Sequence, residues 1–217
     1  MNKKTLTLGI AYFVVTITVI SYYPTLFNHI INWNDGELFN AVSAVMKGQA
    51  GLFSQPAYAP LELAFVAFQR SFSEYGYFLF HALSMIIHAA NAVLLFFIIR
   101  RLFNSERVAL IVSILFSVHP IQVETVAWLS EQAIVVSTFF LLLTCLSYLR
   151  YKQEGKSYFW GLSILSAAIF YLLATPALSL VLILIGLDLL RDEKISYAHI
   201  KQKGILLFFW CAAFFFG

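Results

Sequence analysis

Two carboxylates separated by one residue follow an aromatic side chain near the start of the sequence. Asp35 and Glu37 belong to the stretch Asn32-Trp33-Asn34-Asp35-Gly36-Glu37-Leu38-Phe39, which comes soon after the first long apolar run. A carboxylate held at a surface over a substrate has the chemistry of a general base. The same spacing also suits structure, because Asn34 followed by Glu37 is a helix-capping pattern and Asp-Gly favours a turn. The stretch therefore supports two hypotheses, a catalytic base and a helix start.

Four polar side chains recur at helical spacing within a later apolar run. They lie at offsets 0, 3, 7 and 10, which places them on one stripe of a helix, and they are His81, Ser84, His88 and Asn91. Polar groups in a membrane turn toward a bundle interior or a wet cavity, where they bond across helices or contact a ligand. His81 and His88 are about 10 Å apart along the helix axis, so we do not expect this helix alone to chelate a metal.

A third polar group surrounds a proline. Only the 11 residues Val108–Val118 precede His119-Pro120, too few to cross a hydrocarbon core of about 30 Å at about 1.5 Å per residue. Proline kinks a helix, so we expect His119, Gln122 and Glu124 to form a polar cluster that opens to the outer face. A plain kink with satisfied polar groups is the alternative.

The composition indicates the class of protein in which these polar groups lie. Of 217 residues, 61% are apolar and 12% are charged, against about 45–50% and about 25% in soluble domains. This excludes soluble nucleic-acid-binding, disordered and disulfide-scaffold classes, so we expect a lipid bilayer and no nucleic acid as partner. Cys145 and Cys211 both lie in apolar runs, which indicates packing rather than a disulfide or a metal site.

Seven apolar segments predict membrane-crossing helices. The first, Leu6–Tyr23, follows a basic start but lacks a signal-peptidase site, so we interpret it as an uncleaved span. The others are Tyr77–Ile99, Val108–Leu129, Ile134–Tyr151, Tyr158–Ala174, Pro176–Leu190 and a run from Ile205. That run is still apolar at Gly217, so we expect the sequence to be truncated or unusually short. We expect an all-α, polytopic integral membrane helix bundle of about seven spans, forming one domain over residues 1–217.

The placement of Lys and Arg predicts the orientation, because short cytoplasmic loops carry an excess of both. With the amino terminus in the cytoplasm, 12 of the 14 Lys and Arg lie inside, and only Lys47 and Arg70 lie outside. We therefore expect a multi-pass protein with a cytoplasmic amino terminus, in a bacterial inner membrane rather than the endoplasmic reticulum.

The predicted external segment, residues 24–76, contains more than a loop. Glu37–Lys47 and Leu61–Phe72 carry apolar residues at helical spacing and are too short to cross a membrane. We interpret both as helices at the outer surface. The predicted cytoplasmic loops are short, so we look for chemistry on the external face.

Five blocks in order resemble the membrane half of the transmembrane and tetratricopeptide-repeat O-mannosyltransferases and their bacterial relatives, which belong to the GT-C superfamily. The blocks are Trp33-Asn34-Asp35-Gly36-Glu37-Leu38, Tyr58-Ala59-Pro60-Leu61, His81-Ala82-Leu83-Ser84, His88-Ala89-Ala90-Asn91, and Ser117-Val118-His119-Pro120-Ile121 with Glu124-Thr125-Val126-Ala127. The resemblance continues through Tyr148-Leu149-Arg150-Tyr151 and Thr175-Pro176 to Leu187-Asp188-Leu189-Leu190, so it covers nearly the whole chain.

The resemblance implies a GT-C-like fold and transfer of a mannose-like sugar, on the external side, from a polyprenyl-phosphate donor to a protein or glycan acceptor. It makes Asp35 the candidate base, with Glu37 beside it. The residues that it implies for the cavity or substrate site are His81, His88, Asn91, His119, Gln122 and Glu124. The residues themselves fix no cofactor. If the chain is active, the expected participants are a polyprenyl-phosphate sugar and a divalent metal or cations at the leaving phosphate.

The sequence departs from the family pattern where the chemistry would occur. The first of two adjacent acids is Asn34, and the Arg of a Tyr-Arg-Pro-Leu block is Ala59. A Gly-Arg-x-Asp-like stretch is Ser130-Glu131-Gln132-Ala133, and the Lys before Pro176 is Thr175. Charged residues are replaced, whereas the residues that determine the fold are kept.

Three functions follow as hypotheses. The chain is a catalytically reduced GT-C scaffold that serves as an accessory subunit with other membrane subunits, or it is an active or partner-completed glycosyltransferase. The third hypothesis is a membrane subunit that binds a pigment or haem through His81, His88 or His119. An absorbance spectrum of the purified protein tests the third.

Overall fold

The computed structural model describes residues 3–29, 34–55, 57–72, 76–173, 179–191 and 204. Within these residues the fold is all-α, as the sequence predicts. Nine α-helices occur there: α1 Lys3–Tyr22, α2 Asp35–Met46, α3 Pro60–Arg70, α4 Phe78–Phe103, α5 Glu106–Val118, α6 Gln122–Ala127, α7 Gln132–Glu154, α8 Ser157–Leu173 and α9 Ser179–Leu189. Short 3₁₀ helices connect some of them, among them Tyr23–Phe27 after α1 and Leu129–Glu131 before α7.

Three helical segments in the described part of the chain are long and apolar enough to cross a membrane. They are Thr5–Phe27, Phe78–Phe103 and Leu129–Glu154, which indicate a multi-pass integral membrane protein. The helices α8 and α9 are apolar but shorter, with 17 and 11 residues. The seven expected spans are therefore not shown. The run from Ile205 and the Thr175-Pro176 turn lie outside the described residues.

The expected third span, Val108–Leu129, is not one helix. Helix α5 ends at Val118, and His119 has extended backbone angles of φ −63° and ψ 132° before the short α6 begins. Pro120 accounts for this break, because its ring disfavours a helical conformation at the preceding residue and it supplies no N–H. The sequence predicted a kink at Pro120, whereas the structure has two separate helices.

The two predicted surface helices are confirmed as helices α2 and α3, which pack against each other. The capping predicted for α2 was wrong. Asn34 has helical angles of φ −90° and ψ −8°, and its side chain makes no capping hydrogen bond, while Asp35 and Gly36 lie in the first turn rather than in a loop. The reciprocal half of a capping box occurs at α3, where the Glu62 carboxylate accepts the Ala59 N–H at 3.2 Å.

The described residues form three apolar clusters, of which two bear on the ends of the bundle. One joins α4, α7, α8 and α9 around buried side chains such as Tyr148, Leu149 and Leu184, and it includes Cys145, which packs as the sequence indicated. The other joins α2 and α3 to the start of α4 and the residues before α7, through Leu38, Leu63, Phe80 and Leu129. The second cluster places α2 and α3, from the segment predicted to be external, directly on one end of the bundle.

Ion pairs define the opposite end of the bundle. Arg100 Nε lies 3.3 Å from a Glu106 carboxylate oxygen, which also accepts the Thr7 hydroxyl at 2.7 Å. Arg101 Nη2 lies 3.4 Å from the Glu154 carboxylate. These contacts bring together the start of α1, the end of α4, the start of α5 and the end of α7. We call this the basic end, and we call the end that carries Asp35 the acidic end.

Candidate functional site at the acidic end

Asp35 begins α2 and is almost fully buried, with 1% of its surface exposed. Its Oδ1 accepts the backbone N–H of Ser130 at 2.9 Å. Glu37, two residues later, is exposed. The two carboxylates that the sequence predicted as one group therefore differ in environment, because Asp35 faces the protein and Glu37 faces outward.

The partner of Asp35 lies in the 3₁₀ helix Leu129–Glu131, which leads into α7. Trp128 before it is extended, and the first N–H groups of any helix lack partners in their own helix. The Asp35 side chain accepts one of these N–H groups from 95 residues away in sequence, as a capping side chain does locally. The proposed base position and the Ser130-Glu131-Gln132-Ala133 stretch, which the resemblance placed in the same chemistry, are therefore in contact.

A buried glutamine network lies beside this contact. Gln69 of α3 donates from Nε2 to the Gln132 Oε1 at 2.7 Å, and Gln132 donates from Nε2 to the Ser84 hydroxyl and the Phe80 carbonyl, each at 3.0 Å. Gln69 is 0% exposed and Gln132 and Ser84 are each 1% exposed. Buried amides of this kind hold α3, α4 and α7 in a fixed arrangement.

The sequence analysis missed Gln69 and Gln132 as partners. The apolar spacing of Leu61–Phe72 indicated a helix, and a glutamine that interrupts the buried side of such a helix is a weak signal of a buried partner.

His81 lies in the same region on the first turn of α4 and is 1% exposed. The groups that act on its ring are the Asn28 backbone and the Asp35 carboxylate. Within the described residues, neither ring nitrogen makes a hydrogen bond of good geometry. His81 therefore belongs to the neighbourhood of Asp35.

The rest of the polar stripe bonds to other helices. His88 Nε2 lies 3.0 Å from the Ser117 carbonyl oxygen, and Asn91 Nδ2 donates to the Val135 carbonyl at 3.0 Å. Ser117 lies in the last turn of α5, where carbonyl groups lack N–H partners in their own helix. The expectation that the stripe faces protein is confirmed, and His88 and Asn91 make the interhelical contacts that were one of the two hypotheses.

The third predicted group stays apart from the buried polar side chains. His119 and Glu124 are exposed, and Gln122 is half-buried. His119 Nδ1 accepts the Ile121 N–H at 3.2 Å, a contact within its own turn. Glu124 lies near enough to Glu131 for their negative charges to repel. The structure therefore places Glu124 at the edge of the acidic end and leaves His119 on the surface.

Glu62 on α3 is a carboxyl group whose pKa is strongly altered. Burial raises its pKa to about 7; the Ala59 N–H bond lowers it, and the charge of Glu131 raises it. Burial also raises the pKa of Tyr58, and the charges of Glu37 and Glu62 add to that effect. Glu62 therefore exchanges protons near neutral pH and lies among other carboxylates.

Arg70 brings a positive charge into this acidic region. The Arg70 guanidinium stands over the Phe39 ring, 4.9 Å from its centroid, and Phe39 is one turn after Asp35 on α2. Arg70 directly follows Gln69, which ties its end of α3 to Gln132. The contact with Phe39 could not be predicted from the spacing along the chain, because the two residues lie on different helices.

A divalent metal has no ready ligand set among the described residues. No group of three or more His, Cys, Asp or Glu side chains is arranged there to hold a metal ion. Asp35 and His81 offer only two side chains, whereas Mg²⁺ and Ca²⁺ take about six or more oxygen ligands. The expected metal therefore does not fit this part of the chain.

Comparisons with known proteins give partial matches. Protein O-mannosyl-transferase TMTC3 of Homo sapiens is 35% identical over 107 residues, which are 49% of this chain and 12% of that protein. Protein O-mannosyl-transferase TMTC1 of Homo sapiens is 32% identical over 110 residues, 50% of this chain and 12% of that protein. The Mus musculus TMTC3 protein is 33% identical over 107 residues, 49% of this chain and 12% of that protein. The chain thus spans 12% of the length of these curated relatives.

No family model matches the chain, and no solved structure matches it significantly. The resemblance inferred from the sequence blocks is confirmed in a coarser form, as a distant similarity to O-mannosyl-transferases over half of the chain.

Proposed function

We propose that the chain is a GT-C-like membrane scaffold that transfers no sugar by itself and serves as an accessory subunit of a larger membrane assembly. The observation that carries this proposal is the environment of Asp35. Its carboxylate is 1% exposed and accepts the Ser130 N–H, so it secures the start of α7. A general base must come within about 2.6–3.2 Å of the hydroxyl that it deprotonates, or reach it through one water. Asp35 is instead buried and bonded to the Ser130 N–H.

The charges around Asp35 support the same proposal. Sugar transfer from a polyprenyl phosphate leaves negative charge on the phosphate, which cations or a metal must stabilise. The described residues of the acidic end carry more acids than bases: the acids are Asp35, Glu37, Glu62, Glu124 and Glu131, and the bases are Lys47 and Arg70. A phosphate brought here meets a surplus of negative charge, and Glu131 occupies a position where the resemblance expects Arg.

A partner-completed glycosyltransferase is the second candidate. It is favoured by the similarity to O-mannosyl-transferases over half of the chain. It is also favoured by Arg70, whose guanidinium stands over the ring of Phe39, one turn after Asp35 on α2. In this alternative another chain or segment supplies the missing cations, and the external face receives a mannose-like sugar from a polyprenyl-phosphate donor.

Incubation of the purified 217-residue protein with polyprenyl-phosphate-mannose and a mixed set of acceptors tests the proposal. We expect no transfer above a no-protein blank, and we expect other membrane subunits to co-purify with the chain from its native membrane. Asp35→Asn is the matched control, because the amide oxygen still accepts the Ser130 N–H while the basic carboxylate is gone.

Each result assigns a role. Transfer by the isolated chain that disappears in Asp35→Asn refutes the scaffold proposal and makes Asp35 the base. Transfer that appears only after a co-purified subunit is added back, and disappears in Asp35→Asn, establishes the second candidate. Equal behaviour of both variants with and without the subunit supports the accessory role.

A further inference from the structure

Among the described residues, the basic end of the bundle carries more basic than acidic side chains. Among the described residues where α4 and α7 end and where α5 and α8 begin, two carboxylates, Glu106 and Glu154, face six basic side chains. The six are Arg100, Arg101, Arg107, Arg150, Lys152 and Lys156. The surplus of four positive charges lies at the ends of apolar helices, where a bilayer presents its headgroups.

The two carboxylates are already paired. Glu106 lies 3.3 Å from Arg100 Nε and accepts the Thr7 hydroxyl. Glu154 is shared, with one oxygen 3.4 Å from Arg101 Nη2 and the other 3.6 Å from Lys156 Nζ. Both contacts of Glu106 are made by its Oε1, and neither Glu106 nor Glu154 lies at salt-bridge distance from Arg150.

Arg150 is the centre of the unbalanced charge. Within the described residues no carboxylate lies at salt-bridge distance from it, and its Nε is buried without a hydrogen-bond partner. Its guanidinium stands over the Phe159 ring of α8, 5.3 Å from the centroid. The positive charges of Arg150 and Arg100 both act on Arg101. Like charges repel, so an anion between Arg101 and Arg150 relieves this cost.

We propose that the basic end binds the phosphate of an anionic phospholipid between α4, α7 and α8, with Arg150 and Arg101 as its donors. Guanidinium groups match phosphate geometry and donate two parallel hydrogen bonds to it. This lipid site does not depend on sugar transfer or on the proposed function.

A lipid, rather than a soluble phosphate, is the occupant because an apolar surface continues from the charged one. Helix α8 begins beside Arg150 and presents exposed Tyr158, Leu162 and Leu165 at helical spacing on one face. Trp160 stacks on Tyr151 with ring centroids 5.5 Å apart, and such aromatic residues concentrate at headgroup level. An acyl chain has a surface to follow once the phosphate is bound.

The test uses the full chain in a neutral detergent and follows its melting temperature as phosphatidylglycerol is added. Phosphatidylcholine and inorganic phosphate are added in parallel. Of the three additions, we expect only phosphatidylglycerol to raise the melting temperature. Arg150→Gln weakens the apparent affinity more than about tenfold, because it removes hydrogen bonds to a charged phosphate, whereas the loss of one positive charge near an anionic surface costs roughly fivefold. Arg107→Gln is the matched control, since Arg107 is exposed on α5 at the same end and loses the same charge.

Several outcomes overturn the proposal. They are an equal response to phosphatidylcholine, an equal loss of affinity in Arg107→Gln, and an unchanged affinity in Arg150→Gln. A full response to inorganic phosphate alone also overturns it, because the ligand is then a soluble anion. If Arg150→Gln does not fold, Arg150→Lys replaces it. That variant keeps the charge but not the paired donors. An apparent affinity for phosphatidylglycerol below that of the wild type supports the site, and an unchanged affinity contradicts it.

Discussion

The hydroxyl of Tyr148 lies 2.8 and 2.9 Å from the two carboxylate oxygens of Asp188, and both residues are buried. Tyr148 belongs to α7 and Asp188 to α9, so this contact joins the two helices inside a cluster whose other members, such as Leu149 and Leu184, are apolar. A buried carboxylate is stable only when donors satisfy it. The pair therefore fixes the position of α9 along α7.

Replacing Tyr148 by Phe should lower the free energy of unfolding by about 1.5–3 kcal/mol, because a hydrogen bond to a charged, buried group is lost without a large change of volume. Unfolding of the detergent-solubilised protein measures this. Tyr158→Phe is the control, since Tyr158 is 60% exposed and its change should stay within about 0.5 kcal/mol. An equal effect of the two substitutions contradicts the assigned role of Tyr148.

Replacing His88 by Leu should destabilise the bundle by about 1–3 kcal/mol, because the Ser117 carbonyl at the end of α5 loses its buried donor. The melting temperature in detergent reports the loss. His29→Leu makes the same chemical change at an exposed position and should have little effect. An unchanged melting temperature in His88→Leu shows that the contact does not support α5.

Asp35→Ala should destabilise the protein more than Asp35→Asn does. Alanine leaves the Ser130 N–H without an acceptor and costs about 1–3 kcal/mol, whereas the asparagine oxygen can take the place of the carboxylate oxygen. The free energies of unfolding of both variants and the wild type, measured together, give the comparison. Equal stability of Asp35→Ala and the wild type removes the structural role assigned to Asp35.

The stability of the protein should depend on pH through Glu62. Its pKa is about 7 in the folded protein and 4.5 in its ordinary state, so the folded form holds the proton more tightly. Stability from this group is complete below pH 4.5, falls as pH rises toward 7, and is constant above 7. Melting temperatures between pH 4.5 and 8 measure the fall.

Glu62→Gln should remove this pH dependence while it keeps an acceptor for the Ala59 N–H. Glu37→Gln is the control, because Glu37 is exposed. If Glu62→Gln retains the full slope of the wild type, another group causes the pH dependence.

The orientation predicted from Lys and Arg places residue 49 outside and residue 156 inside. Single cysteines at exposed Gln49 and Lys156, in a background without the two native cysteines, test it with a membrane-impermeant reagent. We expect the first to react in intact cells or right-side-out vesicles and the second only after permeabilisation. The opposite order of reaction overturns the orientation.

The elements that local patterns control could be predicted from the sequence. The apolar spacing of Glu37–Lys47 and Leu61–Phe72 predicted α2 and α3 within a few residues, and the stripe on α4 is buried as expected. The break at Pro120 had a local signal too. Its consequence was underestimated, because the sequence alone does not show that His88 Nε2 lies where it can donate to the Ser117 carbonyl at the end of α5.

The contacts of the candidate site could not be predicted in the same way. Asp35 and Ser130 are 95 residues apart, and Gln69 and Gln132 are 63 apart. No periodicity relates such positions, since they meet only after α2 and α3 have packed on the bundle. The spacing of Asp35 and Glu37 therefore suggested one chemical group, although packing separates a buried residue from an exposed one.

The break at Pro120 leaves α5 shorter than a bilayer is thick. Thirteen residues span about 20 Å, whereas the hydrocarbon core is about 30 Å thick, and Val118 at the end of α5 and His119 and Pro120 at the break are all exposed. If α5 crosses the bilayer as the sequence predicts, we expect a hydrophobic mismatch at this flank, which the lipid relieves by thinning locally. The protein should favour thinner membranes, and headgroups should lie deeper beside α5 than beside the 26-residue α4.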